Sequence, residues 1–280
     1  MRVAYLGPAG TYTEEALRTS LGAQGLGEVE EVAYPSVYET VMAVQEGAVE
    51  RAVVPIENSL EGGVAATLDA LAGEADRVRI AAEVVHPIHH CVVGREDLPL
   101  DAVTRVVSHP QATAQCAHFL RDRLGRAERA SAASTAEAVL QVRDSREPWV
   151  ALGSRLSAEL YRCRVLAERV EDHPDNETRF VWLAPAGAVP EPAGAAKTSI
   201  VFWGFNDESP GALVSVLREL SDSQINLTKI ESRPRRVRLG HYMFFADLEG
   251  AAGRPPVSEA LEALRARVEE LRVLGSYPSG

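Results

Sequence analysis

The sequence lacks several features that mark specialised classes of protein. It has three cysteines, an odd number without Cys-x-x-Cys spacing, which predicts a reduced intracellular setting. No apolar run approaches the ~20 residues needed to span a bilayer. The opening residues reach Gly7-Pro8 too soon to form the apolar core of a signal peptide. Together these absences predict a cytoplasmic protein.

Positive charge is also scarce. The chain has 29 Lys and Arg against 40 Asp and Glu, a net charge of −11 and a pI of about 5.2. This balance argues against general binding to nucleic acid or acidic membranes, so an anionic substrate would depend on a few local arginines. The 280 residues are 46% hydrophobic and 25% charged, which is ordinary for a globular chain of one large domain or two.

The turn between the first predicted strand and the first predicted helix contains no nucleotide-binding motif. Arg2–Leu6 is predicted to be a strand, and residues 14–21 a helix with Thr13 or Thr11 as its N-cap. A strand, a glycine-rich turn and a helix N-terminus form an anion site from backbone N–H groups. The turn contains neither Gly-Lys-Ser/Thr nor Gly-x-Gly-x-x-Gly, so a small carboxylate fits it better than a nucleotide.

A metal site is not expected, although three histidines stand close together. On a strand, His86 and His90 would share one face while His89 points to the other. No neighbouring cysteine or carboxylate completes a ligand set. We therefore expect packing histidines, no metal and no cofactor.

Polar residues lie at three further places where a predicted strand meets a turn. Glu57-Asn58-Ser59 and Ser108-His109-Pro110-Gln111 each follow an apolar strand, where open α/β sheets place their ligands. Asn58 and Ser59 can cap the next helix and bind a ligand as well. Asn176-Glu177-Thr178-Arg179-Phe180 leads from a turn into an apolar strand at residues 180–183. A junction of that kind holds functional side chains in fixed positions.

The order of elements predicts two α/β lobes and a smaller C-terminal domain. Residues 1–184 alternate strands and helices, with the second lobe at about 80–165, and a cleft between such lobes can close on a ligand. Residues 185–196, rich in Pro, Gly and Ala, predict a linker. Residues 197–280 follow the β-α-β-β-α-β order of a ferredoxin-like unit, with Pro210 opening its first helix and apolar positions 257–271 marking its second. This domain has few acid or base groups, which favours a regulatory or dimerising role.

Four motifs in one order carry a resemblance to a known family: Gly7-Pro8-Ala9-Gly10-Thr11-Tyr12, Pro55-Ile56-Glu57-Asn58-Ser59, Ser108-His109-Pro110-Gln111 and Asn176-Glu177-Thr178-Arg179-Phe180. They resemble the prephenate dehydratases. Gly211-Ala212-Leu213 and Glu231-Ser232-Arg233-Pro234 resemble the ACT domain attached to those enzymes. The resemblance implies a two-lobed, periplasmic-binding-protein-like catalytic domain and a ferredoxin-like ACT domain. No helical chorismate mutase segment precedes Arg2, which predicts the monofunctional form.

The resemblance also implies an activity and its residues. The activity is a carbon–oxygen lyase reaction of phenylalanine biosynthesis that converts prephenate to phenylpyruvate, water and carbon dioxide. Thr178 would protonate the departing ring hydroxyl, and Arg179 would bind a substrate carboxylate bidentately. The remaining substrate contacts would be Asn58, Ser59, Thr11, Gln111 and Phe180.

The ACT domain would make the enzyme subject to feedback by phenylalanine. The implied effector-binding residues are Gly211, Ala212, Leu213, Glu231, Ser232, Arg233 and Pro234. Such domains commonly pair across subunits, which predicts a homodimer or homotetramer.

Two other functions fit part of the pattern. Arogenate dehydratase performs the same reaction on a substrate with an amino acid side chain, and the sequence does not separate the two. A non-catalytic sensor would also suit two lobes joined to an ACT domain. Transport would call for a signal peptide and transcriptional regulation for a basic DNA-binding segment, and neither pattern is found.

Overall fold

The structure, a computed structural model, describes residues 1–205 and 209–279. Its elements follow the predicted alternation closely. The strands are Arg2–Leu6 (β1), Glu30–Tyr34 (β2), Arg51–Asn58 (β3), Gly62–Gly63 (β4), Val78–Pro87 (β5), Cys91–Gly94 (β6), Arg105–Ser108 (β7), Glu128–Ser131 (β8), Trp149–Gly153 (β9), Arg164–Ala167 (β10), Glu177–Pro185 (β11), Ala196–Trp203 (β12), Leu227–Pro234 (β13), Tyr242–Glu249 (β14) and Glu270–Pro278 (β15).

Helices connect most of these strands, as expected for an α/β chain. They are Tyr12–Ser20 (α1), Val37–Gln45 (α2), Ala65–Ala72 (α3), Pro110–Gln115 (α4), Ala117–Leu124 (α5), Thr135–Asp144 (α6), Arg155–Leu160 (α7), Ala212–Asp222 (α8) and Val257–Arg265 (α9). None of the described helices has both the length and the apolar character that crossing a membrane requires.

Two sheets are built from the strands before residue 186. One has the strand order β2-β1-β3-β11-β5, with β4 paired to β3, and the other has the order β10-β6-β9-β7-β8. In the second sheet β7 runs parallel to β8 and β9, while β6 runs antiparallel to β9 and β10. The strands β3 and β11 consist largely of fully buried apolar residues, as expected for strands covered on both faces.

The third sheet confirms the predicted ferredoxin-like domain. Its strand order is β13-β14-β12-β15, and all three pairings are antiparallel. The amphipathic helices α8 and α9 pack their apolar faces on it: Val216 and Leu220 of α8 and Leu261 and Leu264 of α9 share one core with Phe202.

The described chain divides into two compact units. One comprises Met1–Thr40, Glu57–Gly62 and Val85–Phe180, and the other comprises Val41–Ile56, Gly63–Val84 and Val181–Gly280. The proposed catalytic and substrate-binding residues all belong to the first unit. The motifs of the C-terminal domain belong to the second.

Several predicted boundaries are wrong. The sequence of residues 113–124 predicts one helix, but in the structure this helix is interrupted at Cys116, whose φ of −118° and ψ of 25° leave the α-helical region. Asp172 then caps the second piece by accepting the His118 N–H at 3.0 Å. Strand β8 is missed because it is short and mostly exposed.

Two predictions in the C-terminal domain also need correction. The second helix ends at Arg265, and the apolar residue Leu271 instead belongs to β15, where it pairs with Phe202. Apolar spacing at the end of a helix can be continued by a following strand, so periodicity alone misplaced this boundary. Pro210 precedes the N-cap of α8 rather than opening the helix. The N-cap is Gly211, whose φ of 82° is left-handed and suits glycine.

Candidate active site

The structure brings Thr178 and Asn58 into direct contact. Thr178 is the second residue of β11, Asn58 is the last residue of β3, and each is 8% exposed. Asn58 Nδ2 lies 2.9 Å from Thr178 Oγ1. Two residues 120 positions apart in sequence thus form one polar pair at neighbouring strand ends.

Backbone groups fix the orientation of the Asn58 amide. Its Oδ1 accepts the backbone N–H groups of Leu60 at 3.0 Å and Glu61 at 3.1 Å, while its Nδ2 donates to the Glu177 carbonyl oxygen at 3.0 Å. Since a backbone N–H can only donate and a carbonyl can only accept, the amide cannot be reversed. Nδ2 therefore shares its two protons among three acceptors, which are Thr178 Oγ1, the Glu177 carbonyl oxygen and Asn176 Oδ1. Because Nδ2 carries protons, the Thr178 hydroxyl cannot donate to it.

Two further amides extend this contact and were not expected from the sequence. Asn176 is 1% exposed and accepts Asn58 Nδ2 on its Oδ1 at 2.9 Å. Asn176 Nδ2 donates in turn to Gln115 Oε1 at 3.2 Å. Gln115 Nε2 is buried and has no hydrogen-bond partner among residues 1–205 and 209–279.

Gln111, predicted as the substrate contact of this helix, lies outside that network. It is half-buried, and its backbone N–H donates to His109 Nδ1 at 3.3 Å, which makes His109 the N-cap of α4. Gln115 follows it by four positions, one helical turn later on a similar face. That spacing is the one sequence signal that points to Gln115.

Arg179 points away from Thr178, since neighbouring residues of a strand face opposite sides of the sheet. Its side chain is 10% exposed, and Nη2 lies 3.0 Å from Glu57 Oε2. Asn58 and Thr178 thus meet on one face, and their neighbours Glu57 and Arg179 meet on the other. To bind a substrate carboxylate, Arg179 would have to exchange Glu57 for the substrate or contact both.

The other predicted contacts hold the site's backbone. Ser59 is exposed; its N–H donates to the Glu177 carbonyl at 2.9 Å and its hydroxyl accepts the Glu177 N–H at 3.0 Å. Thr11 caps α1: its Oγ1 accepts the Glu14 N–H and donates to the Leu6 carbonyl at 2.8 Å. Glu14, buried beside it, accepts the Gly10 N–H, and burial raises the pKa of its carboxyl.

Phe180 and His90 are buried, while His86 and His89 are partly exposed. Phe180 is 2% exposed and meets the His86 ring edge-on, with ring centroids 6.4 Å apart. Distant carboxylates that the sequence did not reveal bind two of the histidines: His86 Nε2 lies 3.1 Å from Glu15, and His89 Nδ1 lies 2.8 Å from Glu171. Within the described part of the chain no cluster of His, Cys, Asp or Glu is arranged to hold a metal ion.

The C-terminal domain contains a cavity at the N-terminus of α8. The cavity has a volume of 410 Å³ and is lined by the predicted residues Gly211, Ala212 and Leu213 together with Phe205, Tyr242 and Phe244. The rings of Phe205 and Phe244 are tilted against one another at 5.3 Å. Apolar walls, aromatic rings and the N–H groups of a helix N-terminus suit an apolar amino acid with its carboxylate.

The second predicted effector motif lies on β13, and its residues make other contacts in this chain. Arg233 Nε and Nη2 bind both oxygens of Asp69 on α3, at 2.8 and 3.0 Å. The Glu231 carboxylate lies against Gly63, where any side chain would overlap it. Pro234 lines a different cavity of 340 Å³ together with Trp203 and Arg272. No residue of this second motif is among those that line the cavity at the start of α8.

Comparison with known proteins gives two matching families. Residues 3–187 match the family described as prephenate dehydratase, and residues 199–266 match the ACT domain. The prephenate dehydratase of Amycolatopsis methanolica is 40% identical over 99% of this chain and 88% of its own length. The chain belongs to the prephenate dehydratase family.

Solved structures agree with this family and its fold. The prephenate dehydratase of Arthrobacter aurescens, solved in complex with L-Phe, is 36% identical, with a TM-score of 0.90 over 100% of this chain and 90% of its own. The predicted α/β fold class is confirmed: an α/β part that matches the prephenate dehydratase family is followed by a ferredoxin-like ACT domain. GqqA, described as a quorum quenching acylase, is 30% identical, with a TM-score of 0.85 over 100% of this chain and 98% of its own length. Because one fold can host different reactions, the site must carry the functional argument.

Proposed function

We propose that the protein is a prephenate dehydratase, a carbon–oxygen lyase that converts prephenate to phenylpyruvate, water and carbon dioxide. The proposal rests on the contact between Asn58 Nδ2 and Thr178 Oγ1 within a member of this family. In the reaction the bond between the ring and its carboxylate breaks, and its electron pair enters the ring. The ring hydroxyl leaves as water after taking one proton, and the ring becomes aromatic.

Thr178 is the proposed donor of that proton. A free threonine is a very weak acid, so its oxygen needs stabilisation as the proton leaves. The fixed N–H of Asn58 supplies it, because a preorganised donor stabilises negative charge that develops in the transition state. Thr178 is 8% exposed, and limited access of water strengthens this effect.

The neighbouring residues are assigned by the same reasoning. Asn58 orients Thr178, and Ser59 fixes the backbone beside it through Glu177. Gln115 Nε2 is the proposed donor to a substrate oxygen, with Gln111 on the preceding helical turn as a second contact. Thr11 supports the anion site at the start of α1, and Phe180 provides the packed support under Thr178. No cofactor takes part in this proposal.

Arg179 is proposed to contact a substrate carboxylate in competition with Glu57. We expect Arg179→Lys to raise KM more than it lowers kcat, since an ammonium keeps the charge but cannot bind a carboxylate bidentately. The matched control is Glu57→Gln, which removes the competing carboxylate and should leave kcat/KM unchanged or higher. Steady-state kinetics of both variants test the assignment. Equal losses in the two variants would show that the ion pair is structural.

The ACT domain is proposed to bind phenylalanine and to lower the activity. The cavity at the start of α8 supports this, as does the L-Phe complex of the Arthrobacter relative. Because Glu231 and Arg233 lie away from that cavity in one chain, we propose that a second copy completes the effector site in a homodimer or homotetramer.

The proposed domain limits are 1–184 for the catalytic domain, with the second lobe at about 80–165, then 185–196 for the linker and 197–280 for the ACT domain. The family matches to residues 3–187 and 199–266 support them.

Incubation of the purified protein with prephenate tests the proposed function. We expect phenylpyruvate and carbon dioxide to form in equal amounts, with higher kcat/KM for prephenate than for arogenate. Preference for arogenate would instead assign the amino acid substrate. No turnover of either would contradict the proposed activity and favour a sensor. A cytoplasmic location, proposed from the cysteine content, is tested by fractionation of cells.

A further inference from the structure

His90 is a buried titratable residue that the proposed reaction does not use directly. It is 2% exposed and stands between Tyr12 and Gln115. His90 Nε2 lies 3.1 Å from Gln115 Oε1, and His90 Nδ1 lies 2.9 Å from the Tyr12 hydroxyl oxygen. The rings of Tyr12 and His90 meet edge-to-face with centroids 5.6 Å apart.

Whether His90 Nε2 carries a proton can be deduced by assigning the donor and the acceptor of each hydrogen bond from Asn58 to His90. Backbone groups fix the Asn58 amide, as shown above, so Asn176 Oδ1 must accept from it and Asn176 Nδ2 must donate to the next residue. The atom of Gln115 that receives this bond must therefore be its oxygen. The same oxygen faces His90 Nε2, and since an amide oxygen carries no proton, His90 Nε2 must carry one.

Tyr12 and Glu171 fix the other side of the ring. The Tyr12 hydroxyl oxygen lies 2.8 Å from the His89 carbonyl oxygen and 2.9 Å from His90 Nδ1. Its proton can be donated to either atom. Glu171 accepts the His90 backbone N–H at 2.9 Å and binds His89 Nδ1. Burial lowers the pKa of His90, against opposing effects of Gln115 and Glu171. The neutral ring then holds its single proton on Nε2.

We propose that His90 is a positioning residue for the proposed dehydratase reaction: it donates its Nε2 proton to Gln115 Oε1 and so holds the chain Gln115–Asn176–Asn58 that orients the Thr178 hydroxyl. The imidazole sets which end of the Gln115 amide faces Asn176. It thereby turns Gln115 Nε2, a buried donor that no described residue binds, toward other acceptors. Tyr12 keeps the ring in place. The proposal rests on the proposed function for its effect on turnover, but not for the state of the ring.

A matched pair of variants separates this role from simple packing. A glutamine at position 90 can place its amide N–H where imidazole Nε2 lies, whereas an asparagine reaches only as far as Nδ1. Both variants lose the ring. We expect His90→Asn to lower kcat and kcat/KM equally by roughly 10- to 100-fold, as for a small misplacement of catalytic groups, and His90→Gln to recover most of the activity. Thermal unfolding of both variants controls for stability, and equal losses of activity in the two folded variants would overturn the proposal.

A spectroscopic measurement on the wild-type protein and one variant tests the hydrogen-bond network independently of turnover. Two-bond ¹H–¹⁵N correlation spectra of histidine-labelled protein distinguish a protonated from an unprotonated ring nitrogen. We expect His90 Nε2 to carry a proton, and Tyr12→Phe, which removes the hydroxyl beside Nδ1, to shift the Nδ1 resonance far more than that of Nε2. An unprotonated Nε2 would overturn the proposal even in an active enzyme. If prephenate were not turned over, the proposed function would fail while this measurement still decided the state of His90.

Discussion

Thr178→Ala is expected to lower kcat by roughly 10²-fold or more, because a positioned proton donor typically contributes ~10²–10⁴-fold. The variant removes the hydroxyl that receives Asn58 Nδ2 at 2.9 Å and leaves the substrate contacts in place. KM should therefore change little. Steady-state formation of phenylpyruvate measures the effect.

Thr178→Ser is the matched control for that experiment. Serine keeps the hydroxyl and removes one methyl group, so we expect it to retain much more activity than alanine. Circular dichroism and thermal unfolding should show that both variants fold, since Thr178 lies on β11 beside a strongly apolar run. Near-normal turnover in folded Thr178→Ala would contradict the assignment of the proton donor.

Gly211→Val is expected to abolish measurable binding of phenylalanine and with it the inhibition of dehydratase activity. Gly211 is the N-cap of α8 and lines the cavity of the ACT domain. A side chain there would project beside the helix N–H groups that we propose bind the carboxylate. Calorimetric titration of phenylalanine measures the loss. If phenylalanine acts by weakening substrate affinity, a substrate analogue should weaken phenylalanine binding by the same factor.

A control must separate loss of the binding site from backbone strain. Gly211 has φ of +82°, and a left-handed valine costs roughly 1–2 kcal/mol wherever it occurs. Gly25, outside the cavity, has φ of +64° and, like Gly211, open space around an added Cβ. Gly25→Val should therefore be destabilised similarly and still bind phenylalanine. Equal binding of phenylalanine to the wild type and Gly211→Val would place the effector elsewhere.

The sequence predicted the secondary elements well where the local signals were strong. Thr11, one of the two residues predicted as N-cap, caps α1 as a side-chain acceptor, and the order of the ACT elements follows from their apolar spacing. A boundary failed where two elements continue one apolar pattern, after Arg265. At that position the chain direction depends on packing, which local periodicity does not encode.

The candidate site was only partly predictable. Thr178 and Asn58 stand out as polar residues at strand ends, but their contact depends on β3 and β11 being neighbours. In the sequence Asn176 lies in a predicted turn, Gln115 in a predicted helix, and His90 among histidines expected to pack. Only the fold shows that their side chains form hydrogen bonds with one another and with Asn58. The Glu57–Arg179 pair was missed because the motif suggested a substrate carboxylate as the partner of Arg179. In the structure its partner is Glu57, the residue before Asn58, and strand alternation places both side chains on the same face.

The most direct test of the account is a double-mutant cycle between Asn58→Ala and Thr178→Ala. The central claim is that these two residues act as one unit, with Asn58 stabilising the oxygen of Thr178 as it gives up its proton. Asn58→Ala also removes the acceptor for the N–H groups of Leu60 and Glu61, but that loss is common to the single and double variants and cancels in the cycle.

We expect Asn58→Ala alone to lower kcat/KM on the order of 10²-fold, as for the loss of one preorganised donor. The double variant should then be little worse than Thr178→Ala alone, because residues that act as a unit give strongly non-additive losses. If instead the two losses multiplied, Asn58 and Thr178 would act independently, and the proposed mechanism would be wrong.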